Sequence, residues 1–102
     1  MKKFFFHKEV ILKRGHLATN FIIVINGKAL ILDSLGNNIK NQVSQYQSYG
    51  LIDILKENKW KNTLVSENKS EILFISRDIL VKNLFSNRTL TGITLNLLKM
   101  AN

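Results

Sequence analysis

Apolar and polar residues come in short bursts along this chain, and turn-forming residues cut the bursts off at close intervals. Glu9–Arg14 (EVILKR) reads as a short apolar strand stopped at Gly15, and Gly15–Asn20 as a polar turn in which glycine supplies the bend. Phe21–Ile25 and Lys28–Leu32 are two runs of strand-forming residues around Asn26-Gly27, a pattern that predicts a tight hairpin. Asp33–Asn38, which contains Gly36, is a second turn, and the weak alternation of Ile39–Tyr49 predicts another strand. Gly50 opens a stretch of a different kind. Leu51, Ile52, Ile54 and Leu55 crowd around Asp53 too densely for a free loop and too briefly for a full helix. A single helical turn, closed in the polar run Lys56–Lys59, fits this pattern.

Beyond the turn, Lys59–Val65 carries Trp60, Thr63, Leu64 and Val65 and predicts a half-buried strand. A polar turn at Glu67–Ser70 and a buried strand at Glu71–Ser76 follow. From Arg77 the period changes. Ile79, Leu80, Leu84 and Phe85 suit a two-turn helix, with Asp78 favourable near its N-terminus and a break at Ser86-Asn87. Leu90, Ile93, Leu97 and Met100 then share one face of a second helix, weakened by Gly92 and the neighbouring threonines. Short strands followed by helices predict a single domain over residues 1–102. It has an all-β core, a jelly-roll (double-stranded β-helix) barrel over about residues 9–76, with a short helix before Trp60 and one or two C-terminal helices over about 78–101.

Composition narrows the function classes. With 45% apolar and 22% charged residues in 102, the chain has an ordinary globular make-up. It contains no cysteine, so disulfides and thiolate metal sites are excluded, and a reducing, cytoplasmic setting is the expectation. The longest apolar run, Phe21–Ile25, is far short of the ~20 residues a membrane span needs. The start, Met1–Phe6, has the flavour of a signal peptide, but its apolar part ends after three residues at His7-Lys8-Glu9. The formal charge of +8 raises nucleic acid as a partner, yet the fifteen basic residues are scattered from Lys2 to Lys99. Their local clusters are Lys2-Lys3, Lys13-Arg14 and Lys59/Lys61, too small to support nucleic-acid binding by this domain alone.

The candidate chemistry is sparse. His7 and His16 have no metal-ligand spacing and read as exposed side chains. Asp53 has no histidine, serine or second carboxylate at a useful spacing, and its expected role is to accept backbone N–H bonds at the start of its turn. Asp33 and Asp78 read as turn and cap residues. Phe4–Phe6 is expected to pack over the barrel or an adjacent domain. No catalytic constellation emerges, so the expectation is that the chain is not an enzyme.

With these elements placed, the spacing resembles that of the cyclic-nucleotide-binding domain family, a jelly-roll barrel with a phosphate-binding cassette and flanking helices. Gly15–Gly27 (GHLATNFIIVING) is similar, without gaps, to the family's glycine, Asp, turn, apolar strand and second glycine. Gly50–Leu64 is similar, also without gaps, to the cassette: glycine, Glu, apolar residues, a loop, Pro, Arg, a small pair and Thr. Glu71–Arg77 looks like the last strand and its following arginine, and the likeness covers roughly residues 9 to 85. The family's N-terminal helical element is expected to be missing or reduced to the first few residues.

The resemblance implies ligand-binding positions at Gly50, Leu51, Ile52, Asp53, Trp60, Lys61, Asn62 and Thr63. It also implies cGMP or cAMP as the ligand class. In the family, the cassette Glu binds the ribose 2′-hydroxyl and the Arg pairs with the cyclic phosphate. Here Leu51 and Trp60 stand in those places, His16 replaces the usual Asp, and Tyr46 stands where a glycine usually precedes the cassette. A desolvated phosphate needs a charge-assisted partner, which an indole does not supply. Lys59 and Lys61 flank Trp60 and, on an extended chain, point away from whichever side the indole takes. The expectation is therefore a degenerate regulatory domain whose empty nucleotide pocket is filled by Trp60 and Leu51. Its expected partners are neighbouring domains of a longer parent such as a cyclic-nucleotide-dependent protein kinase. The alternatives are the sensor half of a catabolite-activator-type transcription regulator, and genuine cGMP or cAMP binding through backbone amides and Trp60 stacking.

Overall fold

A computed structural model describes residues 1–86, with side chains through Asn83. Its elements in chain order are β1 (Lys2–Phe5), β2 (Val10–Leu12), β3 (Asn20–Leu32), β4 (Ile39–Val43), β5 (Ser48–Tyr49), α1 (Leu51–Leu55), β6 (Leu64–Ser76) and α2 (Arg77–Ser86). The expected second helix over 90–100 lies outside the described residues.

All pairings are antiparallel, and the two 13-residue strands β3 and β6 form the spine, paired from Asn20↔Ser76 to Ile31↔Leu64. Each long strand has a different short neighbour along each of its halves. Along β6 these are β2 at Leu64–Val65 and β1 at Ser70–Leu73. Along β3 they are β5 at Ile22–Ile23 and β4 at Ala29–Leu32. The result is the expected all-β barrel with short helices.

Two expected turns are not turns. Asn26-Gly27 does not form a hairpin, and Glu67–Ser70 does not separate two strands, because β3 and β6 run straight through both. The two irregularities lie opposite each other. Val24 faces Ile72 and Asn26 faces Glu71, so β3 has one extra residue; then Gly27 alone spans the gap filled on β6 by Asn68, Lys69 and Ser70. A bulge lets a long strand bend and twist without losing its pairing, which is how one ribbon serves both halves of a barrel. Gly27 sits at φ +84, and a Cβ there would lie 2.5 Å from Ser70 Oγ and 2.8 Å from the Lys69 carbonyl oxygen. Asn68 takes φ +56 across from it. The bulge also switches which positions are buried, from Ile22 and Val24 before it to Ala29 after it.

The bulge is closed by polar groups that are themselves buried. Ser66 and Ser70, 0% and 1% exposed, have hydroxyls 2.8 Å apart. Ser66 donates to the Asn68 carbonyl (2.7 Å) and Ser70 to the Lys28 carbonyl (3.0 Å). These bonds satisfy groups that would otherwise be costly to bury.

The remaining corrections are smaller. The expected strand at Lys59–Val65 begins only at Leu64, with Lys59 holding a single bridge to Leu17. The expected strand Ile39–Tyr49 is split into β4 and β5 by a turn at Tyr46, whose φ is +65. The N-terminal residues form strand β1, so pairing begins at Lys2. Phe5 packs on Phe74 with ring centroids 6.0 Å apart, whereas Phe4 and Phe6 are exposed. Asp33 is the turn residue expected: its carboxylate accepts the backbone N–H groups of Leu35 and Asn37 and the Asn38 side-chain amide. At α2 the capping oxygen is Ser76 Oγ, which accepts the Ile79 N–H, while Asp78 lies in the first turn.

Candidate functional site

Strand β5 delivers the chain to Gly50 by pairing with Ile22 and Ile23. Gly50 takes φ +98 and caps α1, a single turn closed by the Ile54 N–H on the Gly50 carbonyl (3.1 Å) and the Lys56 N–H on the Ile52 carbonyl (3.0 Å). The amides of Leu51, Ile52 and Asp53 precede the first helical bond and have no partner within the turn. Ile54 is fully buried and anchors the turn, with Leu51 and Leu55 packed against the same core. Asp53 accepts no backbone N–H of its turn, contrary to expectation. Its Oδ1 lies 3.4 Å from the Asn58 side-chain amide and its carbonyl accepts the Asn58 N–H (2.9 Å), so it closes the far end of the turn.

Trp60 is buried, 4% exposed, and held from both sides of its backbone: its N–H donates to the His16 carbonyl, and its carbonyl accepts the Gly15 N–H, both at 2.9 Å. The edge of the indole's six-membered ring lies against the start of α1. A Cβ on Gly50 would come within 2.4 Å of Cη2 and 2.7 Å of Cζ3, so glycine is required there for room as well as for its φ. On another side the ring stacks on Tyr49, centroids 5.8 Å apart and planes 30° apart. Burial pushes the Tyr49 phenol above its usual range and the Asp53 carboxylate adds to the shift, so the phenol stays neutral beside the indole.

Gly50, Leu51, Ile52, Asp53 and Trp60 are thus gathered at one end of the barrel. The other three expected positions are engaged elsewhere. Asn62 donates its side-chain amide to the Leu32 carbonyl (2.9 Å), Thr63 Oγ1 accepts the Arg14 N–H (3.1 Å), and Lys61 is exposed. Asn62 thus ties the cassette exit to the end of β3, and Thr63 ties it to the segment after β2.

Two features of the site are structural additions to the expected set. Tyr49 was read only as the end of a strand, although its place beside Gly50 is the signal that puts it against the indole. Arg77 donates Nε–H to the Ile54 carbonyl (3.1 Å) and pairs with Glu57 at 3.4 Å, so the start of α2 grips the exit of α1. A half-open hollow of about 530 Å³ lies between this grip and the Leu17–Asn20 segment. Another, of about 770 Å³, lies on β4 and β5 and includes Tyr49 in its wall. His16 is exposed, His7 Nδ1 accepts the Asn68 N–H, and no cluster that could hold a metal ion occurs among the described residues.

A barrel of this topology with a one-turn helix entered through a left-handed glycine defines a class, and the chain falls in it. Residues 2–87 match the cyclic nucleotide-binding domain family, and the chain belongs to that family. The match reaches further toward the N-terminus than the motifs alone, taking in β1. No curated protein matches the chain.

Among solved structures, the chain is similar to a transcriptional regulator (TM1171) from Thermotoga maritima. That similarity has a TM-score of 0.82 and 15% identity, over 99% of this chain and 81% of that one. It is similar also to the EAL enzyme Bd1971 in its cGMP-bound form, with TM-score 0.76 and 12% identity, over 99% of this chain and 28% of the enzyme. A third is a cAMP-bound PfPKA-R fragment, with TM-score 0.67 and 19% identity, over 90% of this chain and 36% of that one. At these identities the likeness is one of fold. No helix among the described residues is long and apolar enough to cross a membrane.

Proposed function

We propose that this chain is a regulatory domain of the cyclic-nucleotide-binding type whose pocket is closed by its own side chains and which relays state through α2. The observation that carries this reading is the seat of Trp60, with the edge of its indole against Gly50 and its ring stacked on Tyr49 where the family's arginine would meet a phosphate. Leu51 makes the neighbouring corner apolar and leaves a sugar hydroxyl without an acceptor. Any nucleotide entering the cradle has to expel the ring and forgo the guanidinium contact that offsets phosphate desolvation. Coupling to α2 is supported by Arg77, which bonds both the Ile54 carbonyl of α1 and Glu57, two residues past its end. Fold neighbours described as a transcriptional regulator, an EAL enzyme and a PKA-R fragment are consistent with a module inside larger regulators.

Calorimetric titration of the chain with cGMP and cAMP tests the reading. The expected result is no saturable binding in the micromolar range, and micromolar affinity or better for either nucleotide overturns it. Leu51→Glu combined with Trp60→Arg is expected to create binding, since the fold that presents the amides of α1 is already in place.

A further inference from the structure

Along the sequence, Lys13-Arg14 and Lys59/Lys61 are separate and minor clusters, but the fold lays them side by side. Residues 14–18 run antiparallel to residues 58–63 through four backbone-anchored contacts. Gly15 N–H meets the Trp60 carbonyl, Trp60 N–H the His16 carbonyl and Ala18 N–H the Asn58 carbonyl, each at 2.9 Å; Arg14 N–H meets Thr63 Oγ1 at 3.1 Å. Leu17 and Lys59 form a bridge in the same ribbon. Because Trp60 is buried, its neighbours Lys59 and Lys61 face outward, and Lys13, Arg14 and His16 on the adjoining segment are exposed as well. The two ion pairs among the described residues, Lys2–Glu71 and Arg77–Glu57, leave these cations alone. Glu57, the acidic residue closest in sequence to Lys59, is paired with Arg77, and the Asp33 carboxylate accepts the N–H groups of its own turn. Arg14 also donates to the Ser34 carbonyl, which steadies it beside the Asp33 turn.

We propose that this ribbon is a docking surface for the phosphodiester backbone of duplex nucleic acid. The charge is of one sign, exposed and carried on a surface ribbon rather than in a pocket. Leu17 is the exposed large apolar residue it offers, and its tryptophan is turned inward. Amphipathic helices are captured by apolar anchors set in a groove, acidic motifs by clusters of arginines, and single strands by exposed aromatic rings; a row of mostly lysine point charges with a single arginine and none of these suits backbone phosphates. This inference concerns the outer face of the cassette and stands whether or not a nucleotide enters the inner one.

The test is fluorescence anisotropy of a short labelled mixed-sequence DNA duplex titrated with the 102-residue chain. Four phosphate contacts correspond to a slope of log K on log salt of roughly −3.6, or roughly a hundredfold loss of affinity between about 50 and about 200 mM salt. Lys59→Gln with Lys61→Gln is expected to weaken binding at least tenfold and to bring the slope to about half. Lys28→Gln with Lys40→Gln removes the same charge from other exposed positions and is expected to leave both nearly unchanged. Absence of binding at low salt overturns the proposal, and so does equal loss in the two double variants, which indicates net charge alone. Equal or tighter binding, dependent on Lys59 and Lys61, to polyglutamate or to vesicles of phosphatidylserine and phosphatidylcholine also overturns it, in favour of an acidic protein or a membrane surface.

Discussion

The bulge in the long ribbon and the entry to the cassette both turn on a glycine at positive φ with no space for a side chain, yet they are built differently. At Gly27 the obstacle includes main chain, the Lys69 carbonyl, together with the Ser70 hydroxyl. At Gly50 it is the ring of a side chain, Trp60. The ribbon is therefore constrained by backbone geometry common to any sequence with this bend. The cassette is constrained by one particular residue filling one particular space. A family can keep the first while altering the second.

The largest expected effect probes the filled space. Trp60→Ala removes a buried aromatic stacked on Tyr49 and packed by its edge on Gly50 and is expected to cost about 3–5 kcal/mol in urea denaturation followed by circular dichroism. A loss below about 1 kcal/mol indicates that the indole does not hold the barrel end together. Next comes the contrast itself. Gly27→Ala and Gly50→Ala are each expected to cost about 2 kcal/mol or more, because both combine an unfavourable φ with a clash. Adding Trp60→Leu is expected to return about 1 kcal/mol of the Gly50→Ala penalty in a double-mutant cycle, whereas adding Ser70→Ala leaves most of the Gly27→Ala penalty in place. Equal rescue at both sites removes the distinction drawn here.

Ser70→Ala alone is expected to cost about 1–2 kcal/mol, since it takes a donor from the Lys28 carbonyl and a neighbour from the buried Ser66 hydroxyl, which keeps its bond to the Asn68 carbonyl. Tyr46→Gly acts in the other direction. The phenol is 75% exposed and its backbone lies at φ +65, so relief of strain outweighs the added freedom of the unfolded chain by about 0.5 kcal/mol.

The weakest effect is one of pH. Hydrogen bonds, first that from the Asn37 N–H, hold the Asp33 carboxyl below its ordinary value of 3.8. A depressed carboxyl stabilises the folded state above its unfolded pKa and loses that contribution as pH falls through its folded value. The melting temperatures of the chain and of Asp33→Asn are therefore expected to differ near neutrality and to converge below about pH 4.

Much of the cassette was legible because its signals are local. Gly50 followed by Leu51, Ile52, Ile54 and Leu55 admits little but a short turn with its apolar side inward, and the burial of Trp60 follows from lysines on either side. The helix at Arg77 was legible for the same reason, its period being written within one element. The ribbon misled where local and long-range preferences conflict. Asn26-Gly27 has every property of a hairpin turn, and Glu67–Ser70 every property of a loop. Each became part of a strand because the other lay opposite it, so that two weak points formed one bulge. That the chain is built mainly of strands and that a short helical turn follows Gly50 were decided by residue order and type alone, since both depend on neighbours a few positions apart. Which strand pairs with which, where Arg77 reaches, and the meeting of Lys13-Arg14 with Lys59 and Lys61 were decided only by tertiary structure. Those contacts join residues dozens of positions apart, and nothing in the spacing of charges along a chain records the backbone bonds that bring them together.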